Sequence, residues 1–180
     1  MKSRVCFLDY DGVVNTPMWN EEGTVCSYGW AKQGKVNNFQ AVQWLSEACQ
    51  KFGFDIVVSS TWRMWDNYKE CLINGGLREG IEVLDRTPEI RTHSRGFEIK
   101  TYLEEHPEIQ YYVIVDDEAD MLPEQIGHLI LTDGDVGFTL KDFKRFEEIF
   151  NADNKHGGSF PDRKYKDYRR FDECGRYEED

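Results

Sequence analysis

Four apolar residues, Val5-Cys6-Phe7-Leu8, run directly into Asp9-Tyr10-Asp11-Gly12. No other junction constrains the fold as much. An apolar run of this length fits a buried strand. Residues two apart in a strand share a face, so Asp9 and Asp11 point the same way from its carboxyl end. Open α/β sheets hold their ligands at that end. Gly12 lets the chain turn sharply there. Two close carboxylates repel unless a positive charge lies between them. A hard divalent cation answers that need, and Mg²⁺ typically takes one or two carboxylates. A strand closed by a polar turn would use the same residue types, because Asp and Gly are common in turns.

The 180 residues suffice for one domain with a proper core. The net charge of −12 argues against a protein that grips long stretches of nucleic acid, whose phosphates need basic partners. It leaves room for a local basic pocket that takes one phosphate. The five cysteines, Cys6, Cys26, Cys49, Cys71 and Cys174, form no C-x-x-C pair and suggest neither a zinc site nor a disulfide framework. No apolar run approaches membrane-spanning length, and the N-terminus lacks a signal-like apolar region. No membrane association and a reducing, cytoplasmic setting are therefore expected.

Beyond the first junction, strands and helices alternate. Residues 16–33 read as a loop or small hairpin. Its Trp19, Tyr28 and Trp30 either pin it to the body or offer a stacking platform beside the carboxylates. Val36, Phe39, Val42, Leu45, Cys49 and Phe52 recur at helical spacing, with Asn37 or Asn38 to cap the start and Gly53 to end the helix. A second strand, Phe54 to Val58, runs into Ser59-Ser60-Thr61-Trp62-Arg63. Hydroxyls, helix N–H groups and a guanidinium together make a phosphate site, and the same serines can cap a helix. A helix is predicted over 64–74 and a short strand over 81–84. Another helix follows Arg95-Gly96, with Ile99, Tyr102 and Leu103 on one face. The apolar strand Tyr111 to Val115 then feeds Asp116-Asp117-Glu118-Ala119-Asp120, an acidic cluster that is costly unless a cation compensates. Leu129 to Leu131 reads as a further strand. Residues 132–139 form a loop near the site edge, with Thr139 as N-cap of a helix carrying Leu140, Phe143, Phe146, Ile149 and Phe150. Residues 1–150 read as the catalytic domain and 151–180 as a charged, aromatic tail.

These junctions, in this order, resemble the four motifs of the haloacid-dehalogenase-like (HAD) phosphohydrolase superfamily. The Ser-x-Trp-Arg and Arg-Gly-x-x-Ile features are also similar to small HAD-like domains found beside RNA-repair enzymes. The resemblance implies a three-layer, Rossmann-like α/β domain around a mainly parallel sheet. No large cap fits between Asn15 and Val36 or between Arg63 and the next strand, and an open site suits larger substrates. The resemblance further implies a phosphomonoester hydrolase in which Asp9 is phosphorylated and Asp11 serves as general acid and base. Gly12 and the second-motif hydroxyl, Ser59 with Ser60 as the alternative, would bind phosphate. Arg63, which has no counterpart in the general pattern, would touch substrate. The third-motif cation is Arg95, with Lys100 as competitor. Mg²⁺ would be held by Asp9, the Asp11 carbonyl and Asp117, with Asp116 in support. A nucleotide or a nucleic-acid end carrying a 3′-phosphate is one substrate class this implies. A non-catalytic binding module is the rival reading, and the retained Asp9 and Asp11 weigh against it.

Overall fold

The computed structural model describes residues 4–19, 25–26, 34–90 and 94–156. A parallel sheet forms its centre, with strands β1 (Arg4–Leu8), β4 (Asp55–Val58), β5 (Val83–Arg86), β6 (Tyr111–Asp116) and β7 (Leu129–Leu131). Their spatial order is β5-β4-β1-β6-β7. Neighbouring strands in it pair parallel throughout. Strands β2 (Met18–Trp19) and β3 (Val25–Cys26) form a separate antiparallel pair.

β1 is central, and its side chains alternate between two cores. Cys6 and Leu8 face one core, which they share with Val42 and Leu45 of α1 (Phe39–Phe52) and Phe146 and Ile149 of α4 (Leu140–His156). Val5 and Phe7 face the other, with Ile99 and Tyr102 of α3 (Arg95–Glu105). The result is a helix–sheet–helix sandwich, the Rossmann-like α/β architecture. No inserted cap domain interrupts the described residues.

The helices begin and end where local chemistry allows. The Asn38 side chain accepts the Ala41 N–H at 3.0 Å, so α1 starts at Phe39 and not at Val36. Gly53, at φ 74°, closes it in the left-handed conformation that glycine tolerates. The helix predicted over 64–74 is divided into a 3₁₀ turn, Thr61–Met64, and α2, Tyr68–Asn74. Ser60 caps the first piece, accepting the Trp62 N–H at 3.3 Å, and Trp65 interrupts the two in extended conformation. The strand predicted over 81–84 lies two residues later, as β5, beside an irregularity in the β4 register. α4 continues through residue 150 to His156. Residues 157–180 of the tail, Tyr28 and Trp30 lie outside the described residues, as does the side chain of Trp19. No described helix is long and apolar enough to cross a membrane.

Arg4 ties the amino edge of the sheet together. Its Nη1 donates to the Phe52 carbonyl at 2.9 Å, and its guanidinium lies 5.0 Å from the Phe150 ring. Nearby, Phe146 is fully buried, stacked on Phe52 at 5.7 Å and edge-on to Phe54 at 5.0 Å. Replacing Phe146 by Ala is expected to destabilise the fold by about 3–5 kcal/mol, the usual cost of emptying an aromatic core site. Urea denaturation of the two proteins measures the difference.

Candidate active site

Register assembles the site. Leu8 pairs with Val58 on one side and with Val115 on the other. The next residue of each strand, Asp9, Ser59 and Asp116, therefore arrives at one level along the carboxyl edge. Backbone bonds extend the ladder by a step, from Asp9 N–H to Val115 O and from Ser59 N–H to Leu8 O, both at 3.0 Å. From β1 the chain winds outward to β4 and β5, then returns to β1's other side as β6. The crevice between β1 and β6 is thus a topological switch point, where such sheets bind ligands.

Asp9 continues the alternation of Val5 and Phe7 onto the α3 side. Arg95, the first residue of α3, meets it there. Its Nη1 donates to Asp9 Oδ1 at 2.5 Å and to the Ser59 carbonyl at 2.9 Å, and lies 3.4 Å from Asp116 Oδ2. The Arg95 backbone N–H donates to Asp120 Oδ2 at 3.0 Å, which fixes the start of the helix. Burial opposes the Arg95 charge, but the Asp9 and Asp116 carboxylates overcome it and raise its pKa. Lys100 is exposed further along α3, and the cation brought to Asp9 is Arg95.

One ligand oxygen from each of Asp9, Asp116 and Asp117 lies within 4.8 Å of the others. Asp116 is fully buried, Asp9 nearly so, and Asp117 half-buried. Burial raises the Asp9 pKa, with Arg95 and the Ser60 hydroxyl pulling the other way. Burial pushes Asp116 to about 8, against the pull of Arg95 and with the help of Asp9. Asp117 rises to about 6, from burial and then from the charge of Asp9.

Asp11 stands apart from this trio. The chain turns tightly after Asp9: Val13, Val14 and Asn15 all direct their N–H groups to the Tyr10 carbonyl. Gly12 sits in the turn at φ 72°. Asp11 Oδ2 accepts the Trp62 indole N–H at 2.9 Å, and Oδ1 accepts the Asn15 side-chain amide at 2.6 Å.

A protein-family model described as the HAD domain in Swiss Army Knife RNA repair proteins matches residues 5–143. The chain belongs to that family. No curated protein and no solved structure matches it. A HAD domain is the scaffold of HAD-type hydrolases, and such domains typically use a metal. The donors present here fit one: three carboxylates converge, and Asp116 Oδ2 is buried without a hydrogen-bond partner. Their oxygens lie within 4.8 Å of one another, against an upper limit of about 4.2 Å for two oxygens on one Mg²⁺ at about 2.1 Å each.

Other residues singled out in the sequence have different places. The Ser60 hydroxyl accepts the Trp62 N–H and lies near enough to Asp9 to favour its charged form. The Ser59 hydroxyl is buried without a partner, and the Ser59 carbonyl accepts from Arg95. Arg63 is not at the mouth of this HAD domain. It is 5% exposed, paired with Glu98 at 2.6 Å, and its Nη1 donates to the Ser59 and Ser60 carbonyls at 2.6 and 3.0 Å. A guanidinium so enclosed braces the second-motif turn from beneath. Roles for Asn15 and Glu98 escaped the sequence reading, and Trp62 entered it only within the Ser-x-Trp-Arg feature. Only the proximity of Trp62 and Asn15 to the first two motifs could have drawn attention to them.

The raised carboxylates make stability depend on pH. Between the ordinary value of 3.8 and the folded-state value of about 8, Asp116 holds a proton in the folded protein that the unfolded chain has lost. The stability carried by the neutral form is complete below that window and is lost as pH rises through it. In metal-free protein, Asp116→Asn is expected to reduce the fall in melting temperature between about pH 5 and about pH 8. Added Mg²⁺ should raise the wild-type melting temperature more at the upper pH, where the carboxylates give up their protons readily. Differential scanning fluorimetry reads both effects.

Proposed function

We propose that this HAD domain is a Mg²⁺-dependent phosphomonoester hydrolase that works through an aspartyl-phosphate on Asp9. One observation carries the reading: Asp9 lies at the switch-point crevice with Arg95 on one oxygen and two further carboxylates within 4.8 Å. Asp9 attacks phosphorus, the bond to the leaving oxygen breaks, and Asp11 gives that oxygen a proton. Asp11 then takes a proton from water, which attacks the phosphorus, releases inorganic phosphate and restores Asp9. Arg95 and the Ser60 hydroxyl offset charge on the phosphoryl oxygens. Asp9, Asp117 and the Asp11 carbonyl, with Asp116 in support, would hold Mg²⁺, which would supply neutralisation of developing charge.

A phosphate at a nucleic-acid end is the substrate class we favour. The family description names RNA repair, and no inserted cap stands among the described residues. The acidic net charge suits contact with one terminal phosphate better than with a long strand. The buried thiols of Cys6, Cys49 and Cys71 are unpaired, in keeping with a cytoplasmic setting.

Asp9→Asn is expected to lower Mg²⁺-dependent turnover of an aryl phosphate and of a 3′-phosphorylated oligonucleotide by about 10³-fold or more. Unchanged turnover removes Asp9 as nucleophile, and no turnover by the wild type on either substrate favours the binding module.

Trp62→Phe removes the N–H that holds Asp11 while keeping a ring in place. General acid catalysis contributes about 10²–10⁴-fold and matters most for poor leaving groups. Turnover of an alkyl phosphate should therefore fall further than that of a nitrophenyl phosphate. An equal fall on both would reduce Trp62 to packing.

A further inference from the structure

The loop from β7 to α4 reaches across the carboxyl edge to the metal-binding carboxylates. It is fastened at both ends and across its middle. Thr132 N–H donates to the Asp116 carbonyl and Thr132 Oγ1 to the Gly12 carbonyl, both at 2.9 Å. Val136 and Gly137 N–H close onto the Asp133 carbonyl at 2.9 and 2.7 Å, and Phe138 N–H reaches the Val13 carbonyl at 2.8 Å. Between these ties the loop brings Gly134 against the Asp117 side chain.

At that crossing stands Gly134. A β-carbon built there would lie 2.8 Å from Asp117 Oδ2, nearer than real side chains approach. Across the carboxylate stands Gly12, whose β-carbon would lie 2.1 Å from the same oxygen. Two glycines from segments far apart in sequence thus leave the slot into which Asp117 is turned. They differ in one respect. Gly12 also needs its positive φ, whereas Gly134 has none, so alanine at 134 meets no backbone strain. Its methyl group would meet only the free end of the Asp117 side chain, which can swing away at little cost to the fold.

We propose that the 132–137 loop, through Gly134, is a positioning element that fixes the Asp117 carboxylate and so sets the affinity of the site for its divalent cation. The proposal rests on Asp117 being a metal ligand, the reading given above. Residues that orient a ligand from behind commonly carry about 10–100-fold in metal affinity when changed. Here the orientation comes from the absence of a side chain instead of from a hydrogen bond.

The test is Mg²⁺ titration by calorimetry on wild type, Gly134→Ala, Asp117→Asn and the double variant, with the metal-free melting temperature of each. Gly134→Ala is expected to bind Mg²⁺ about tenfold or more weakly, while its metal-free melting temperature stays at or above that of the wild type. In the Asp117→Asn background, Gly134→Ala should weaken binding no further, because the group it displaces no longer carries the charge. Thr132→Val, which loosens the loop without a clash, should also weaken Mg²⁺ binding. Wild-type affinity in both Gly134→Ala and Thr132→Val overturns the proposal, as does an equal loss from Gly134→Ala in both backgrounds. No Mg²⁺ binding by the wild type, or full binding by Asp117→Asn, overturns the ligand reading itself and the proposal with it.

Discussion

Mutual repulsion among Asp9, Asp116 and Asp117 is the constraint to which much of this structure answers. Their ligand oxygens crowd within 4.8 Å at the edge of a buried sheet. Burial first, and then the charge of Asp9, raises the values of Asp116 and Asp117. One guanidinium, Arg95, offsets part of the charge. It is anchored at both ends, by Asp120 on its backbone and by the Ser59 carbonyl beside its carboxylate partners. The remaining imbalance is what makes the cluster receptive to a divalent cation.

Arrangement beneath the cluster follows from the same need. Two arginines share the Ser59 carbonyl, one facing the site and one buried under it. Glu98 neutralises the lower one, Arg63, and the Arg63 carbonyl in turn accepts from Arg86. A buried ion pair is a poor source of net stability, since desolvation of its charges offsets their attraction. Its value here is geometric, because it fixes the turn that presents Ser60 to Asp9.

Features written as local pattern were legible in the sequence. The apolar run before Asp9, the capping asparagine and closing glycine of α1, and the acids after β6 all depend on neighbours within a few residues. Arg95 was legible as a cation at a helix start. What the sequence hid is what depends on side-chain reach in three dimensions. Arg63 follows two serines, as a phosphate-binding arginine would, yet its length carries it down to Glu98, 35 positions away. Ser59 and Ser60 are adjacent and chemically identical, and only the bend into the 3₁₀ turn sets where each hydroxyl goes. Trp62 stood in the second-motif stretch with no role of its own, and its indole N–H found a partner 51 residues earlier. The shift of β5 by two residues belongs to the same class: an edge strand has one neighbour, and an irregular register there needs no sequence signal.

Arg4 has a further implication for the layout of this domain. Its contacts with the Phe52 carbonyl and the Phe150 ring place the entry into β1 and the late part of α4 together at one pole. The carboxylates occupy the other pole, beyond the full length of β1. Bracing of the sheet and convergence of the acids are thereby held at opposite ends of one strand, so that the aromatic packing at the first can be altered without touching a side chain at the second.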